Sequence, residues 1–216
     1  GVKRKMHIWE AGLQDGKNLV ADCQELIDTY PYAKAMANYT LSALVSGING
    51  ICYWDFDDAM HFMYSADGTA TAKEWGMFST LGSATALKQS LRPWYHSSML
   101  MMNLCQRHNV IFDAGKNGSK VNPKLRSLAT LSNDKKLAGV MFSNTDVENE
   151  RKVQFMIDQS YENDEKLYIY MFNEKSVLLG EDGFIKPNKV VDGSFNNLNE
   201  ITIPAATFVV ISNQEL

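Results

Sequence analysis

The sequence predicts a chain of two unlike parts: an α/β part over residues 1–107, then an all-β part, an antiparallel β-sandwich, over 108–216. Three observations carry this reading. A strand–helix–strand run with short connections fills the beginning, which is the unit of a parallel sheet. The helix of that run carries apolar residues at i, i+3, i+4 and i+7. After His108, short strand-like runs recur with turn residues between them, and that spacing favours a sandwich over a barrel.

Each element follows in order. Lys5 to Glu10 reads as a short strand ending in a carboxylate, with Met6, Ile8 and Glu10 on one face and His7 and Trp9 on the other. Ala11-Gly12 breaks it, Gln14 to Asn18 is polar, and Asp22 to Thr29 has short helical character. Ala33, Met36, Ala37, Thr40, Leu41, Leu44 and Val45 form the stripe of the clearest helix, with Pro31 in its first turn and Gly47 at its end. Ile48 to Phe56 is the second strand, with Ile48, Gly50, Cys52 and Trp54 sharing a face. A polar, aromatic loop spans Asp57 to Lys73, helices are expected over Glu74 to Leu91 and Trp94 to Gln106, and Pro93 opens the latter. Later strands are expected at Asn109–Asp113, Leu125–Leu131, Leu137–Ser143, Lys152–Asp158, Lys166–Phe172, Glu200–Ile203 and Thr207–Ser212. The run Leu167 to Phe172 is apolar on both faces, as in a central strand.

Composition narrows the function classes. With 45% apolar and 21% charged residues, the 216-residue chain is that of a folded globular protein. A net charge of −4 without a dense Lys/Arg run argues against a nucleic-acid partner and against a basic membrane-binding surface. Every long apolar stretch is interrupted by Gly, Asn, Asp or Ser, so none spans a bilayer. Cys23, Cys52 and Cys105 have no zinc-ligand spacing and read as ordinary thiols.

Glu10 is the leading candidate for chemistry. In a (β/α)₈ barrel, inward side chains at the C-terminal ends of strands build the active site, and Glu10 has that position and parity. A carboxylate there can attack an anomeric carbon, although a loop glutamate satisfies the same spacing. Trp54 ends the next strand with inward parity, and an indole beside a carboxylate suits a pyranose ring, whose C–H face stacks while its hydroxyls find polar partners. A core tryptophan is the plainer account of Trp54 alone; the two residues together say more. Asp55-Phe56-Asp57-Asp58 does not match a calcium loop, and no metal is expected. Asp55 and Asp58 are read as loop carboxylates that bond sugar hydroxyls or cap the following helix. His61, Tyr64 and Asp67 lie in the same loop and border the cleft or are simply solvated.

On these residues the chain resembles the end of clan A retaining glycoside hydrolases. The similar stretches are His7 to Gly12, Ala43 to Asp55, Leu91 to Tyr95, and Ile203 to Ala206 running on to Val210. The resemblance implies a partial TIM barrel, its seventh and eighth strands each with the following helix, leading into a C-terminal β-sandwich. It implies Glu10 as nucleophile, Trp54 as platform for the sugar at the cleaved bond, no cofactor, and an oligosaccharide or polysaccharide substrate; Asp55, Asp58 and His61, read from the loop itself, are the further candidates for substrate binding.

The departure from the clan is the missing acid/base. Retaining chemistry needs a second carboxyl group about 5–5.5 Å from the first, and the clan places it on a strand earlier than any read here. The isolated chain is therefore expected to be catalytically incomplete. Two parallel strands taken out of a closed barrel expose edges and an apolar face, so they are expected to pair with another copy, pack on the sandwich, or aggregate. Localisation is not legible in the chain; the resemblance implies a secreted or periplasmic parent protein. The rival reading is a carbohydrate-binding or structural accessory β-sandwich without catalysis.

Overall fold

The computed structural model describes residues 5–13, 26–58, 62–64, 66–72, 74–79, 90–106, 110–112, 124–154, 166–195, 198 and 200–216. The elements run β1 (His7–Ala11), α1 (Tyr30–Val45), β2 (Gly50–Tyr53), β3 (Phe62–Tyr64), β4 (Ala70–Ala72), β5 (Phe78–Ser79), β6 (Ser90–Leu91), α2 (Pro93–Leu104), β7 (Val110–Phe112), β8 (Leu125–Leu131) and β9 (Ala138–Asn144). They continue with β10 (Arg151–Gln154), β11 (Lys166–Phe172), β12 (Leu178–Leu179), β13 (Ile185–Lys186), β14 (Lys189–Asp192), β15 (Glu200–Ile203) and β16 (Thr207–Ser212).

α1 begins where Thr29 accepts the Tyr32 N–H at 3.3 Å and Pro31 fills the first turn. It stops before Gly47, whose φ of 88° lies in the left-handed region. Its buried face is Tyr32, Ala33, Met36, Ala37, Thr40, Leu41 and Ala43. The predicted stripe holds as far as Leu41, whereas Val45 at the last turn is exposed. α2 packs against α1 and buries Trp94, Leu100, Met101 and Leu104.

β1 and β2 pair in parallel across α1. A separate six-stranded sheet is antiparallel throughout, in the order β14-β11-β16-β9-β8-β7. Alternation divides its side chains between two cores. Leu128, Met141, Tyr170, Phe172, Phe208 and Val210 face the helices and join their core. Val140, Phe142, Leu167, Ile169, Val209 and Ile211 face the other way, onto Ile201 and Ile203 of the antiparallel pair β10–β15 and onto Phe195. The all-β part is thus a large sheet with a small one on its outer face and helices on its inner face. α2 approaches closely: a Cβ at Gly139 would lie 2.5 Å from Leu104 Cδ2.

Several expectations need correction. The helix expected over Glu74 to Leu91 does not exist over 74–79 or 90–91; Phe78–Ser79 pairs antiparallel with Ser90–Leu91 instead. Gly76 lies so near Asp57 that a Cβ would come within 2.6 Å of the Asp57 Cα, and the Asp58 carboxylate takes the Trp75 and Gly76 N–H groups. The loop after Asp58 contains the hairpin β3–β4, and β12, β13 and β14 were not foreseen. Half of the expected helix at Asp22 to Thr29 falls outside the described residues, as does the part boundary at residue 107; in the described half Leu26 to Asp28 form a turn.

Candidate active site

The two candidate residues of the strand ends lie on neighbouring segments. β1 and β2 are parallel, with His7 opposite Gly50 and Ile8 opposite Ile51, and Ala11 opposite Tyr53 after a register shift. The shift leaves Trp9 and Glu10 together opposite Cys52, a β-bulge of two residues against one. The bulge changes the predicted parity. Ile8 and Ala11 share the side of Ile51 and Tyr53, while Glu10 no longer shares a face with Ile8. Glu10, Trp9 and Cys52 are all exposed, and Trp9 is in ring contact with His7 at 6.1 Å.

Tyr53 anchors the end of β2. Its ring meets Trp94 edge-on at 5.9 Å and its hydroxyl bonds that of Thr40 on α1. Burial pushes the Tyr53 phenol up to about 12 despite that hydrogen bond. With Tyr53 turned toward the helices, the next residue, Trp54, lies on the opposite face of the strand, that of Cys52, and is 42% exposed. The Trp54 N–H donates to the Ala11 carbonyl at 2.8 Å, so the β1–β2 pairing continues to the residue that carries the indole. The Trp54–Asp55 peptide bond is cis.

Beyond Trp54 the chain runs alongside residues 75–78. The Asp55 N–H donates to the Trp75 carbonyl, the Met77 N–H to the Asp55 carbonyl, and the Phe78 N–H to the Phe56 carbonyl. Trp54 and Trp75 are ring neighbours at 6.0 Å, tilted by 53°. Asp55 is half-buried, and its carboxylate accepts the Phe56 N–H.

Asp58 departs from the predicted role. It is 1% exposed, its Oδ2 lies 2.6 Å from Arg92 Nη2, and its Oδ1 accepts from Arg92 Nη1 at 2.8 Å, Trp75 N at 2.8 Å and Gly76 N at 2.7 Å. A carboxylate so occupied holds the loop and is withdrawn from any sugar. Burial alone would lower the Arg92 guanidinium, but hydrogen bonds and charge from Asp58 and Asp28 hold it above its ordinary value. Arg92 also bonds the carbonyls of Gly76 and Phe78, and its Nε bonds Asp28. His61 lies outside the described residues.

Sequence reasoning missed Trp75 and Arg92 as site-building residues. Trp75 lay inside an expected helix, and Arg92 was noted only within the stretch Leu91 to Tyr95. The available signal was a lone Arg before Pro93, downstream of a run of carboxylates. Among the described residues no cluster of His, Cys, Asp or Glu could hold a metal ion, and no helix is long and apolar enough to cross a membrane.

No protein-family model matches the chain, and comparison with curated proteins finds no match either. The fold is similar to part of several solved glycoside hydrolases. AbfB, a family 51 α-L-arabinofuranosidase from Bifidobacterium longum, superposes with a TM-score of 0.59 at 8% identity, over 94% of this chain and 40% of that one. Cel44A, a family 44 endoglucanase from Clostridium thermocellum, gives 0.54 at 14% identity, over 96% and 31%. An α-L-arabinofuranosidase from Thermotoga maritima gives 0.51 at 15% identity, over 87% and 39%. The chain therefore spans 31% to 40% of the length of these enzymes. At such identities the likeness is one of fold.

Proposed function

We propose that this chain is the C-terminal portion of a clan A glycoside hydrolase that cleaves O-glycosidic bonds by retaining double displacement. Glu10 is its nucleophile and Trp54 its platform for the sugar at the cleaved bond. The observation that carries the reading is the parallel pairing of β1 with β2 across α1, which brings Glu10 and Trp54 to the same end of two neighbouring strands. In a (β/α)₈ barrel that end is where catalytic side chains gather. On this reading residues 1–107 are the last quarter of such a barrel and residues 108–216 its sandwich. The fold likeness to families 51 and 44 supports the same assignment.

In the first step a Glu10 carboxylate oxygen bonds the anomeric carbon as the bond to the leaving oxygen breaks. The leaving group takes its proton from an acid that none of the described residues supplies. Water then releases the sugar from Glu10 and restores the carboxylate. Asp58, committed to Arg92, takes no part.

The test is a 2-deoxy-2-fluoro glycoside with a dinitrophenolate leaving group, which departs without protonation and so bypasses the missing acid. Xyloside, glucoside and arabinofuranoside versions are incubated with the chain, and peptides are mapped by mass spectrometry. A covalent sugar on Glu10, absent in Glu10→Ala, is the expected result. Failure of all three reagents at millimolar concentration to label Glu10 would reject the assignment.

A further inference from the structure

The guanidinium of Arg92 is the meeting point of the two connections that leave the β1–β2 pair. One runs from β1 to α1 and closes at Asp28, next to the N-cap Thr29. The other runs from β2 to α2, holds Asp58 near its start, and closes at Arg92 itself, the N-cap of α2. Arg92 Nε donates to Asp28 Oδ1, Nη2 lies 2.6 Å from Asp58 Oδ2, and Nη1 donates to Asp58 Oδ1 at 2.8 Å. Nη1 also donates to the carbonyls of Gly76 at 2.7 Å and Phe78 at 3.2 Å. A planar fork with fixed N–H directions can join that many acceptors at set angles, whereas an ammonium acts as a point charge. With its three nitrogens engaged and 2% of its surface exposed, Arg92 cannot reach a sugar. Any effect it has on chemistry passes through its partners.

Those partners lead to Glu10. Asp58 Oδ1 takes the Trp75 and Gly76 N–H groups, and the Trp75 carbonyl takes the Asp55 N–H. One residue back, the Trp54 N–H donates to the carbonyl of Ala11, the neighbour of Glu10. Gly12 abuts the same point, since a Cβ there would lie 3.0 Å from the Trp54 carbonyl oxygen. From the other side, Asp28 holds the far end of the connection that follows Gly12. The strand end that carries Glu10 is thus tied to Arg92 by two routes, one through Asp58 and one through Asp28. Both matter more because the bulge interrupts the β1–β2 ladder at Trp9 and Glu10.

We infer that Arg92 is the positioning residue for Glu10: by clamping Asp28 to Asp58 it fixes the ends of β1 and β2 relative to each other, and with them the approach of the Glu10 carboxylate to the anomeric carbon. This rests on the glycosidase reading and adds to it a residue that touches no substrate. Asp28 is the partner that tells positioning from folding. Its side chain is 60% exposed, so its loss costs the fold little, yet it releases one of the two routes.

The test follows the labelling of Glu10 in the full chain by the dinitrophenyl 2-deoxy-2-fluoro glycosides over a range of reagent concentrations. That range separates reagent binding (Ki) from the first-order bond-forming step (kinact). A misplacement of about 1 Å costs about a hundredfold in rate, so Asp28→Ala and Arg92→Lys should each lower kinact by about tenfold to a hundredfold at unchanged Ki. Asp28→Asn, which keeps an acceptor for the Nε–H, should restore most of the rate. The urea midpoint of Asp28→Ala should stay at that of the unaltered chain, and Asp28→Ala alone decides if Arg92→Lys does not fold. Three results overturn the inference but spare the glycosidase reading: an unchanged kinact in Asp28→Ala, a loss confined to Ki, or a fall in kinact matched by the fraction unfolded in circular dichroism. No labelling of the unaltered chain by any of the reagents overturns both.

Discussion

Arg92 grips Asp58 at two points in the interior, Nη2 to Oδ2 at 2.6 Å and Nη1 to Oδ1 at 2.8 Å, with both side chains 2% exposed or less. The pair links the start of α2 to the loop after β2 and fastens the segment that carries Trp75. Removing Asp58 leaves the buried Arg92 with Asp28 as its remaining counter-charge, which costs about 3 kcal/mol, the lower end of the range for a broken buried pair. Asp58→Ala should lose that much in urea unfolding, and Arg92→Lys should lose less because a charge remains. A loss below about 1 kcal/mol for Asp58→Ala would show that the loop stands without the pair.

Alkali should weaken the fold. Burial raises the Cys105 thiol from 9.0 to about 12 and the Tyr53 phenol from 10.0 to about 12. Both protons are held more tightly in the folded chain than in the unfolded one. The stability they contribute is intact below the ordinary values of 9.0 and 10.0 and is lost as the pH climbs toward about 12. Urea midpoints at pH 8 and pH 11 should fall with rising pH, and the fall should shrink in the Tyr53→Phe, Cys105→Ala double variant. An unchanged slope in that variant would refute this source.

The opposite sign holds at Asp146. The Glu148 N–H, joined by Asn149 and Lys124 against the effect of burial, holds its carboxyl at about 2. Arg151 Nη2 lies 2.5 Å away and Lys124 Nζ 3.4 Å away. A carboxyl depressed in the folded state stabilises above its ordinary value of 3.8, and that contribution disappears as the pH falls toward about 2. Thermal melts from pH 5 to pH 2 should show a steep acid limb, flattened in Asp146→Ala. Identical limbs in the two proteins would count against Asp146.

The contact between α2 and β9 is tight enough to test by substitution. A methyl at Gly139 would meet Leu104 Cδ2 at 2.5 Å and the Ile211 carbonyl at 3.0 Å. Gly139→Ala should cost about 1–3 kcal/mol. The double variant with Leu104→Ala should recover part of it, with a coupling of about 0.5–3 kcal/mol. Strict additivity in the double-mutant cycle would mean that the clash is relieved elsewhere.

Legibility in the sequence followed the strength of the local signal. α1 has an amphipathic stripe, a proline start and a glycine stop, and its bounds were readable within a few residues; β8, β11, β15 and β16 alternate or run apolar at full length. The segment after Asp58 failed because Glu74 to Leu91 has helix-compatible composition, while the course of residues 74–79 is set by Asp58, sixteen or more residues upstream, and by the Gly76 contact. At the site, the closeness of Glu10 and Trp54 was inferred from strand order, but the bulge was not, because nothing in His7 to Ala11 marks an extra residue. Asp58 looked like its neighbours Asp55 and Asp57; only the arrival of Arg92 from the start of α2 separates it from them.

β16 (Thr207–Ser212) lies between β11 and β9. During synthesis, β7 to β9 can zip together early, but they stay severed from β11 and β14 until residues 207–212 emerge from the ribosome. Nascent chains must wait with two half-sheets and raw hydrogen-bonding edges, a long-range closure of the slow-folding kind. Such an interval invites holding by a chaperone, and a stop codon placed before Thr207 would leave two pieces with no seam.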